Sequence, residues 1–330
     1  VAPQAFTSVV EYPIAIALAS LLRPTLDAGD RWSRWIDVAL PLTFASALLL
    51  APGVMAGVPA DFKTLGIAAV SLAMAALVYW VRRRPWRLGL IIATLLFFGM
   101  YAGGREDVLT AERSFFGIHR VVARGGGAYH LLYHGTTTHG AQLTDPHLAR
   151  EPLTYFTRQG PLGDVFASLH YRLEGKRIGV AGLGVGTLAC YGREGQRLTF
   201  FEIDPVVLAI ASDPRYFTYL ATCGQIRPDH VLGDARLTLA REPDGAFGLL
   251  VLDAFSSDSL PAHLVTREAV ELYLRKLAPG GAMAFNISNR YLDLAPMLGA
   301  VTRDLGLAGR SKIDADPEKS INDNHPVACA

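Results

Sequence analysis

The distribution of apolar residues divides the chain near Gly104. Before this residue, long apolar stretches alternate with short polar connectors; after it, apolar segments are short. The long stretches are Val1–Leu22, Val38–Ala60, Thr64–Val81 and Leu88–Gly104. The last three contain no charged residue, and each approaches the ~20 apolar residues that cross a ~30 Å hydrocarbon layer. We therefore predict a transmembrane helical region over residues 1–104, with about four helices.

A small β-rich region is predicted next, over residues 105–165. Two β-like runs, His119–Ala123 and Ala128–Tyr133, are joined by Gly125, Gly126 and Gly127. A glycine link between two such runs is typical of a hairpin.

From residue 166 to residue 330 the pattern changes to short buried strands that alternate with helices such as Val206–Ala211 and Thr266–Leu277. The predicted strands are Arg177–Ala181, Leu198–Ile203, Gly248–Asp253 and Ala282–Ile287. This alternation predicts a doubly wound parallel sheet, hence an α/β, Rossmann-like domain. After Ala308 no strand-like run follows, although such sheets normally close with two further strands, so we expect the sheet to be cut short.

Composition supports the membrane prediction and narrows the partners. Of 330 residues, 51% are hydrophobic and 18% charged, with a mean hydropathy of +0.26, which is unusual for a soluble protein. The net charge is +1 and no basic face is visible, so we expect no nucleic acid partner. Cys190, Cys223 and Cys329 lack metal-ligand spacing, which predicts no metal site and favours a reducing compartment.

A glycine-rich segment directly follows the first predicted strand of the sheet. Gly182, Gly184 and Gly186 allow a sharp turn and a close approach to a ligand, before a helix whose first N–H groups are unpaired. Glu202 ends the next strand, where a carboxylate accepts hydrogen bonds from both ribose hydroxyls. Thr187 stands where a dinucleotide fingerprint has its third glycine. The pattern favours an adenosyl-sulfonium compound over NAD.

Two aspartates lie at predicted strand ends on the same rim. Asp234 follows the third strand and is expected to bond an adenine amino group. Asp253 ends the fourth strand and faces the crevice where open α/β sheets bind ligands. One such aspartate is often only a helix cap. Glu202, Asp234 and Asp253 together with the glycine segment indicate a binding site.

The stretch from Arg177 to Leu294 resembles the spermidine synthase-like family of polyamine aminopropyltransferases, particularly its bacterial members fused to membrane helices. The matching strings are GLGVGTLACYGREG, FFEIDP, GDARLTL, LDAFSSDSLPAHLVTREAVELYL and ISNRYLDL. Upstream, RSFFGIHRV and YHGTTTHGAQ are similar to the family's β-region, and VEYPIAIALASLLRP to one of its membrane segments. These strings add Asp204, Gly233 and Ala235 to the cofactor-binding candidates.

The resemblance implies aminopropyl transfer from decarboxylated S-adenosylmethionine to an amine, with release of methylthioadenosine. A carboxylate must deprotonate the incoming amine, because a protonated amine has no lone pair. Asp253 matches the catalytic aspartate, and Asp258 is a second acid, two residues further away than in soluble members. Tyr155 and Gln142 match substrate-holding residues by local context only. A packed tyrosine and a turn glutamine are the alternative.

Some residues depart from the family pattern. Soluble members carry an acidic residue in the glycine segment that holds the cationic aminopropyl end, and Val185 stands there in this chain. An S-adenosylmethionine-dependent methyltransferase is therefore an alternative, and a non-catalytic membrane sensor of a nucleoside or polyamine is another. His134 and His139 are either a proton shuttle or hydrogen-bonded structural histidines.

The expected partners are a small amine acceptor and the lipid bilayer of a bacterial inner membrane; the oligomeric state, a homodimer included, stays open. We expect the transferase domain in the cytoplasm, where adenosyl-sulfonium compounds are made. The positive-inside rule opposes this, because four crossings with the loop Arg82–Arg87 inside place that domain outside. The conflict would be resolved if Leu88–Gly104 lay at the membrane interface or re-entered on the cytoplasmic side. Additional helices upstream of Val1, at which the start without Met hints, would resolve it as well.

Overall fold

The described residues fall into two units. The computed structural model describes residues 11–22, 35–36, 39–46, 72, 75–77, 79–81, 84–102, 107–135, 137–224, 226–254, 261–288 and 293–313. One unit comprises Val1–Glu106 and the other Asp107–Ala330.

The described helices of the first unit include α1 (Glu11–Leu21) and α2 (Pro85–Ala102). They pack together at Gly89, where a Cβ would lie 2.6 Å from Leu21 Cδ2. Within the described ranges, neither of these helices nor any other is both long and apolar enough to cross a membrane. The stretches Val38–Ala60 and Thr64–Val81 lie mainly outside those ranges, so the prediction of about four spans is not tested along most of its length.

The second unit begins with an antiparallel sheet in the order β1-β2-β3-β4. Its strands are β1 (Asp107–Arg113), β2 (Ile118–Arg124), β3 (Tyr129–His134) and β4 (Thr137–Leu143). Gly125, Gly126 and Gly127 form the turn between β2 and β3 with φ of 60°, 65° and 92°, which glycine adopts without strain. The predicted hairpin is therefore confirmed.

A five-stranded parallel sheet in the order β7-β6-β5-β8-β9 forms the rest of the unit. Its strands are β5 (Arg177–Ala181), β6 (Arg197–Glu202), β7 (Asp229–Leu232), β8 (Phe247–Leu252) and β9 (Leu277–Phe285). The helices are α3 (Pro161–Ser168), α4 (Pro205–Ser212), α5 (Tyr219–Thr222), α6 (Ala235–Arg241), α7 (Arg267–Lys276) and α8 (Ala295–Asp304). This order and these helices confirm the predicted α/β, Rossmann-like architecture. The expectation about the end of the sheet concerns residues 314–330, which lie outside the described residues.

The sheet is buried on both faces, as its continuous apolar strands predict. In β8, Leu249 and Val251 belong to one hydrophobic core, whereas Leu250 and Leu252 belong to another. Alternate residues of a strand point to opposite faces. The two cores therefore lie on opposite sides of the sheet, and the helices that cover them hold its edge rigidly.

Cys190 and Cys223 form a disulfide, with their Cα atoms 4.4 Å apart and a sequence separation of 33. The bond joins the end of the segment that follows the glycine loop to the end of α5. Disulfides persist in oxidising environments. The sequence did not predict this pairing, because the fold brings together two residues whose spacing gave no signal, and the reducing compartment stays a prediction that the disulfide opposes.

Candidate functional site

The carboxyl edge of the parallel sheet gathers most of the predicted site residues. Along this edge, neighbouring strand ends carry Asp234 after β7, Glu202 on β6, the glycine loop after β5, Asp253 after β8 and Asn286 after β9. Adjacent strands lie about 4.8 Å apart, so Glu202 and Asp253 are separated by roughly 10 Å. The chain order reverses between β5 and β8, and open α/β sheets bind their ligands at such a point.

The glycine loop contacts both neighbouring elements of the site. Gly182 and Gly184 have φ of 94° and 54°, in the left-handed region that favours glycine. A Cβ at Gly182 would clash with the carbonyl oxygen of Asp253, and one at Gly184 would lie 2.7 Å from the carbonyl oxygen of His139. Gly186 caps a short 3-10 helix, Thr187–Tyr191, where the sequence predicted a helix without specifying its type. The loop therefore brings bare backbone to the rim between β6 and β8.

Glu202 is held by backbone groups of the glycine loop and of the segment just after β6. Its Oε2 accepts from the N–H of Leu183 in the glycine loop, and its Oε1 from the N–H of Asp204, both at 2.9 Å. Burial raises the pKa of Glu202, and these hydrogen bonds oppose the rise. An ionised carboxylate has about four lone-pair sites. Glu202 therefore keeps some acceptor capacity for ligand hydroxyls, on a side chain that is already oriented.

Asp204 has protein partners for both carboxylate oxygens. Oδ1 accepts from the N–H of Val206 at 2.9 Å and so caps α4, while Oδ2 contacts Nε2 of His119 at 2.8 Å and accepts from the hydroxyl of Ser114. Burial alone would raise the pKa of Asp204, but the hydrogen bonds from His119, Ser114 and Val206 outweigh it and lower that pKa. These contacts fasten the small sheet to α4. The predicted cofactor role of Asp204 stays a prediction, and its contacts are those of a structural residue.

Asp234 follows β7 and begins α6. Its Oδ1 accepts from the N–H of Leu237 at 3.0 Å, and its Oδ2 lies 2.8 Å from Nε2 of His263. Gly233 precedes it with φ of 137° and donates its N–H to the carbonyl of Glu202, and Ala235 is buried below. The segment is thus fixed beside Glu202. Binding of adenine by Asp234 stays a prediction, since the cap and His263 already engage both oxygens.

Asp253 differs from the other acids of the edge because its carboxylate has a single described hydrogen-bond donor, side chain or backbone. Asn286 Nδ2 donates to Oδ1 of Asp253 at 2.7 Å, and Ser288 fixes that amide by donating its hydroxyl to Asn286 Oδ1, also at 2.7 Å. Burial raises the pKa of Asp253 to about 7, against the lowering effect of the Asn286 hydrogen bond. The side chain is nevertheless only partly shielded from solvent. A general base works best with a pKa near the operating pH, and Asp253 has that property.

The remaining predicted residues lie beside this edge or outside the described part. Gln142 is buried, and its amide bonds the carbonyl of Ala149 at 2.7 Å and both the hydroxyl and the N–H of Thr218, at 2.9 Å and 2.7 Å. Tyr155 is half-buried, with its ring 4.2 Å from that of Phe156. The substrate roles of both stay predictions, and the contacts of Gln142 support its structural alternative. Asp258 lies outside the described residues.

The histidines of the small sheet pack against one another and against the glycine loop. The rings of His119 and His134 are 4.6 Å apart, and those of His134 and His139 are 5.4 Å apart. His134 Nε2 lies 3.0 Å from the carbonyl oxygen of Phe116, and burial followed by the neighbouring His119 lowers the pKa of His134. The hydrogen bond favours the structural interpretation of His134 over that of a proton shuttle.

Val185 is fully buried under the small sheet. A Cβ on Gly140 would lie 2.5 Å from Val185 Cγ2, so the two residues pack in direct contact. The position that is acidic in soluble aminopropyltransferases is therefore filled by an apolar packing residue.

Several residues of the edge were not predicted as site residues. Asn286 is one, although its place directly after β9 is the signal that identified Asp253 after β8. Three apolar side chains are also exposed at this edge: Ile203 after β6 by 43%, Leu232 at the end of β7 by 51% and Leu237 in α6 by 62%. Exposed apolar side chains beside a binding crevice are suited to a flat aromatic ligand such as adenine. Within the described ranges, His, Cys, Asp and Glu side chains form no group of three that could hold a metal.

No protein-family model matches the chain. One curated protein is similar to part of the chain. The chain is 31% identical over 129 residues to a polyamine aminopropyltransferase of Vibrio vulnificus. The match covers 36% of this chain and 40% of that enzyme, so the chain spans well under half the length of the relative.

Solved structures give only weak overall similarity. A probable spermidine synthase from Corynebacterium glutamicum has a TM-score of 0.45 at 16% identity, over 55% of this chain and 63% of that one. The spermidine synthase from Thermotoga maritima has a TM-score of 0.42 at 13% identity, over 61% of this chain and 63% of that one. An arsenic(III) S-adenosylmethionine methyltransferase from Chlamydomonas reinhardtii has a TM-score of 0.30 at 21% identity, over 45% of this chain and 60% of that one. Scores of this size do not bear on function.

Proposed function

We propose that the chain is a transferase that moves an aminopropyl group from decarboxylated S-adenosylmethionine to a small amine and releases methylthioadenosine. The observation that carries this proposal is the pair of acids on the rim. Glu202 is oriented for a ribose at one side of the glycine loop, and Asp253 has a pKa of about 7 at the other. The similarity to a polyamine aminopropyltransferase over 129 residues supports it.

In this proposal, the amine nitrogen attacks the methylene carbon next to the sulfonium. A C–N bond forms, the C–S bond breaks, and its electron pair stays on sulfur as the neutral thioether. Asp253 as the carboxylate accepts the proton that the amine gives up and later releases it to solvent. Asn286 holds the Asp253 carboxylate in place, and Glu202 holds the ribose. No metal is needed for these steps.

Methyl transfer from S-adenosylmethionine is the second candidate, and the buried Val185 favours it. An aminopropyl cation gains from a facing acid, which Val185 does not provide. A methyl donor carries its own carboxylate and does not need that acid.

Product analysis tests the two candidates. The purified full chain is incubated with each sulfonium donor and a panel of small amines, and both products are identified by mass spectrometry. Methylthioadenosine formed together with an aminopropylated amine is the expected result, and the Asp253→Asn variant is the control. S-adenosylhomocysteine from the methyl donor would establish the second candidate, and the absence of both products would contradict a transferase.

We further propose that the first unit attaches the protein to a bacterial inner membrane. Apolar side chains of α1, such as Ile14, Ile16 and Leu18, are about half exposed, and Phe97 on α2 is 63% exposed. Exposed apolar clusters mark surfaces that contact membranes or proteins. We place the transferase domain in the cytoplasm because its sulfonium substrate is made there. The Cys190–Cys223 disulfide is the observation that weighs against this placement.

Cysteine accessibility decides the placement. In a Cys329→Ser background, an Asp314→Cys variant is treated in intact cells with a membrane-impermeant thiol reagent. Protection until the cells are lysed is the expected result. Labelling in intact cells would place the domain outside, in agreement with the disulfide and with the positive-inside rule.

A further inference from the structure

A cavity of about 220 Å³ lies in the second unit away from the rim described above. Its walls come from α3, from Cys190 and Tyr191 at the end of the 3-10 helix, and from the segment that leads into β6. β6 runs for six residues from Arg197 to Glu202. Since a strand rises about 3.3 Å per residue, the wall next to Arg197 and the carboxylate of Glu202 belong to opposite ends of the sheet, roughly 17 Å apart.

Basic side chains converge on this cavity. Arg158, Arg193 and His170 line it, and none of its lining residues, all of which lie in the described ranges, is acidic. Glu151 contacts Nε of Arg158 at 3.3 Å, but both side chains are about half exposed. Exposed pairs of this kind contribute ~0–1 kcal/mol, so this one holds Arg158 only weakly.

Arg193 faces a poor partner. Its Nη1 lies 2.9 Å from Nε2 of His170 and also contacts Nδ1 of that ring. A guanidinium only donates hydrogen bonds, so the imidazole nitrogen has to accept. An oxyanion would be a better partner for Arg193 than the imidazole ring, because it adds attraction between opposite charges and can accept two parallel hydrogen bonds from one guanidinium.

The wall around these cations is held in place before any ligand enters. Gln196 is buried, accepts the N–H of Arg193 at 3.0 Å and donates to the carbonyl of Leu173 at 2.9 Å. The ring of Tyr191 stacks on Phe166 at 4.5 Å and lies 5.6 Å from the guanidinium carbon of Arg158. A fixed wall lowers the entropy that ordering costs on binding.

We propose that this cavity binds a small phosphate-type oxyanion between Arg158 and Arg193. Planar guanidinium groups match phosphate oxygens with two parallel hydrogen bonds. The volume is below the ~300–1,000 Å³ of sites for drug-sized ligands, which fits inorganic phosphate or a short phosphate monoester. Two guanidinium groups balance the charge of about −1.5 to −2 that a phosphate group carries at pH 7.

Isothermal titration calorimetry of the full chain with inorganic phosphate tests this site without any need for transferase activity. Binding of one phosphate is expected at constant ionic strength set by chloride. Arg158→Gln and Arg193→Gln should each weaken it at least tenfold, since each removes charge-assisted hydrogen bonds. Arg215→Gln is the matched control, because Arg215 is an exposed arginine paired with Asp213 outside the cavity and its loss should change nothing.

Three results would overturn the proposal. The first is no phosphate binding above the chloride background, and the second is equal weakening by all three arginine variants, which indicates diffuse attraction. The third is acetate binding as tightly as phosphate, which would assign the cavity to carboxylates instead. Thermal melting without ligand shows whether each variant is folded, and Arg193→Lys, which keeps the charge, should recover part of the affinity.

Discussion

Asp204 and Asp253 are two acids at neighbouring places on the same sheet edge, and they have opposite properties. Asp204 is 2% exposed and receives hydrogen bonds from Val206, Ser114 and His119, which lower its pKa. Asp253 receives one side-chain hydrogen bond, from Asn286, and its pKa rises to about 7. Burial by itself raises the pKa of both aspartates.

The difference between them lies in the number of donors that the fold supplies. A carboxylate with several donors is stabilised as the anion and is used to hold elements together. A carboxylate with one donor in a desolvated place retains a proton near neutral pH and can exchange it with a substrate. The hypothesis that follows is that Asp204 contributes to stability and Asp253 to chemistry, and the following predictions separate these roles.

The largest effect is expected for Asp253→Asn. The substitution keeps the shape and removes the base, so the rate of transfer should fall by about 10²–10⁴. Affinity for methylthioadenosine, measured by calorimetry, should be retained. Asp204→Asn serves as the comparison and should leave kcat of the folded protein within a few-fold. An equal loss of rate in both variants would contradict the division of roles.

Asp204→Ala should have the largest effect on stability. Loss of the buried hydrogen bonds costs roughly 1–3 kcal/mol and loss of the helix cap about 1 kcal/mol more. For a domain of about 200 residues, ~3 kcal/mol corresponds to a Tm lower by roughly 6–12 °C. Asp229→Asn, which removes a half-exposed partner of Arg197, is the control and should change Tm little.

The Tm difference between the wild type and Asp204→Ala should depend on pH in a definite direction. The folded pKa of Asp204 is lowered, so its stabilising effect is complete above the unfolded value of about 4 and is lost as pH falls through the folded pKa. The gap in Tm between wild type and Asp204→Ala should therefore narrow on acidification below pH ~4. A gap that stays constant would show that the hydrogen-bonded anion is not its cause.

Glu202→Ala should weaken adenosyl binding by at least tenfold. It removes hydrogen bonds of roughly 1.5–3 kcal/mol each that the ribose hydroxyls donate to the charged carboxylate. Calorimetry with methylthioadenosine measures the change, and Glu242→Ala, remote from the rim at the end of α6, is the control. Unchanged affinity would remove Glu202 from the binding site.

The smallest effect is expected for Asn286→Ala. Without this donor, burial acts on Asp253 unopposed and raises its pKa further. The carboxylate is the active form, so kcat/KM rises with pH through this pKa, and the rise should move to higher pH by roughly 0.5–1 pH unit. The rate at pH 9 should approach that of the wild type. Ser288→Ala, which only orients Asn286, should shift the profile less.

The fold was largely predictable from local pattern. Alternating apolar strands and helices predicted the parallel sheet, and the triple glycine predicted the β2–β3 hairpin. The strand β9 begins at Leu277, five residues before the prediction, because Gly280 and Gly281 have weak strand character on their own and depend on pairing with β8.

The site was predictable in its positions and less so in its roles. Strand ends at one edge of a parallel sheet identified Glu202, Asp234 and Asp253, since topology brings such ends together whatever the side chains are. Gln142 and Asp204 were assigned to ligands by resemblance, and their contacts are with the protein itself. Sequence gives no account of which polar groups find partners inside the protein.

The sequence by itself determined the period of each element, the glycine loop that only glycine can form, and the placement of acids after strands, because these depend on neighbours along the chain. Tertiary structure decided which acid received three donors and which received one, and it joined Cys190 to Cys223 across 33 positions. It also turned Arg158, Arg193 and His170, which share no motif, toward one cavity. A shifted pKa, a disulfide and a charged pocket all depend on groups that are distant in sequence and are brought together only by the fold.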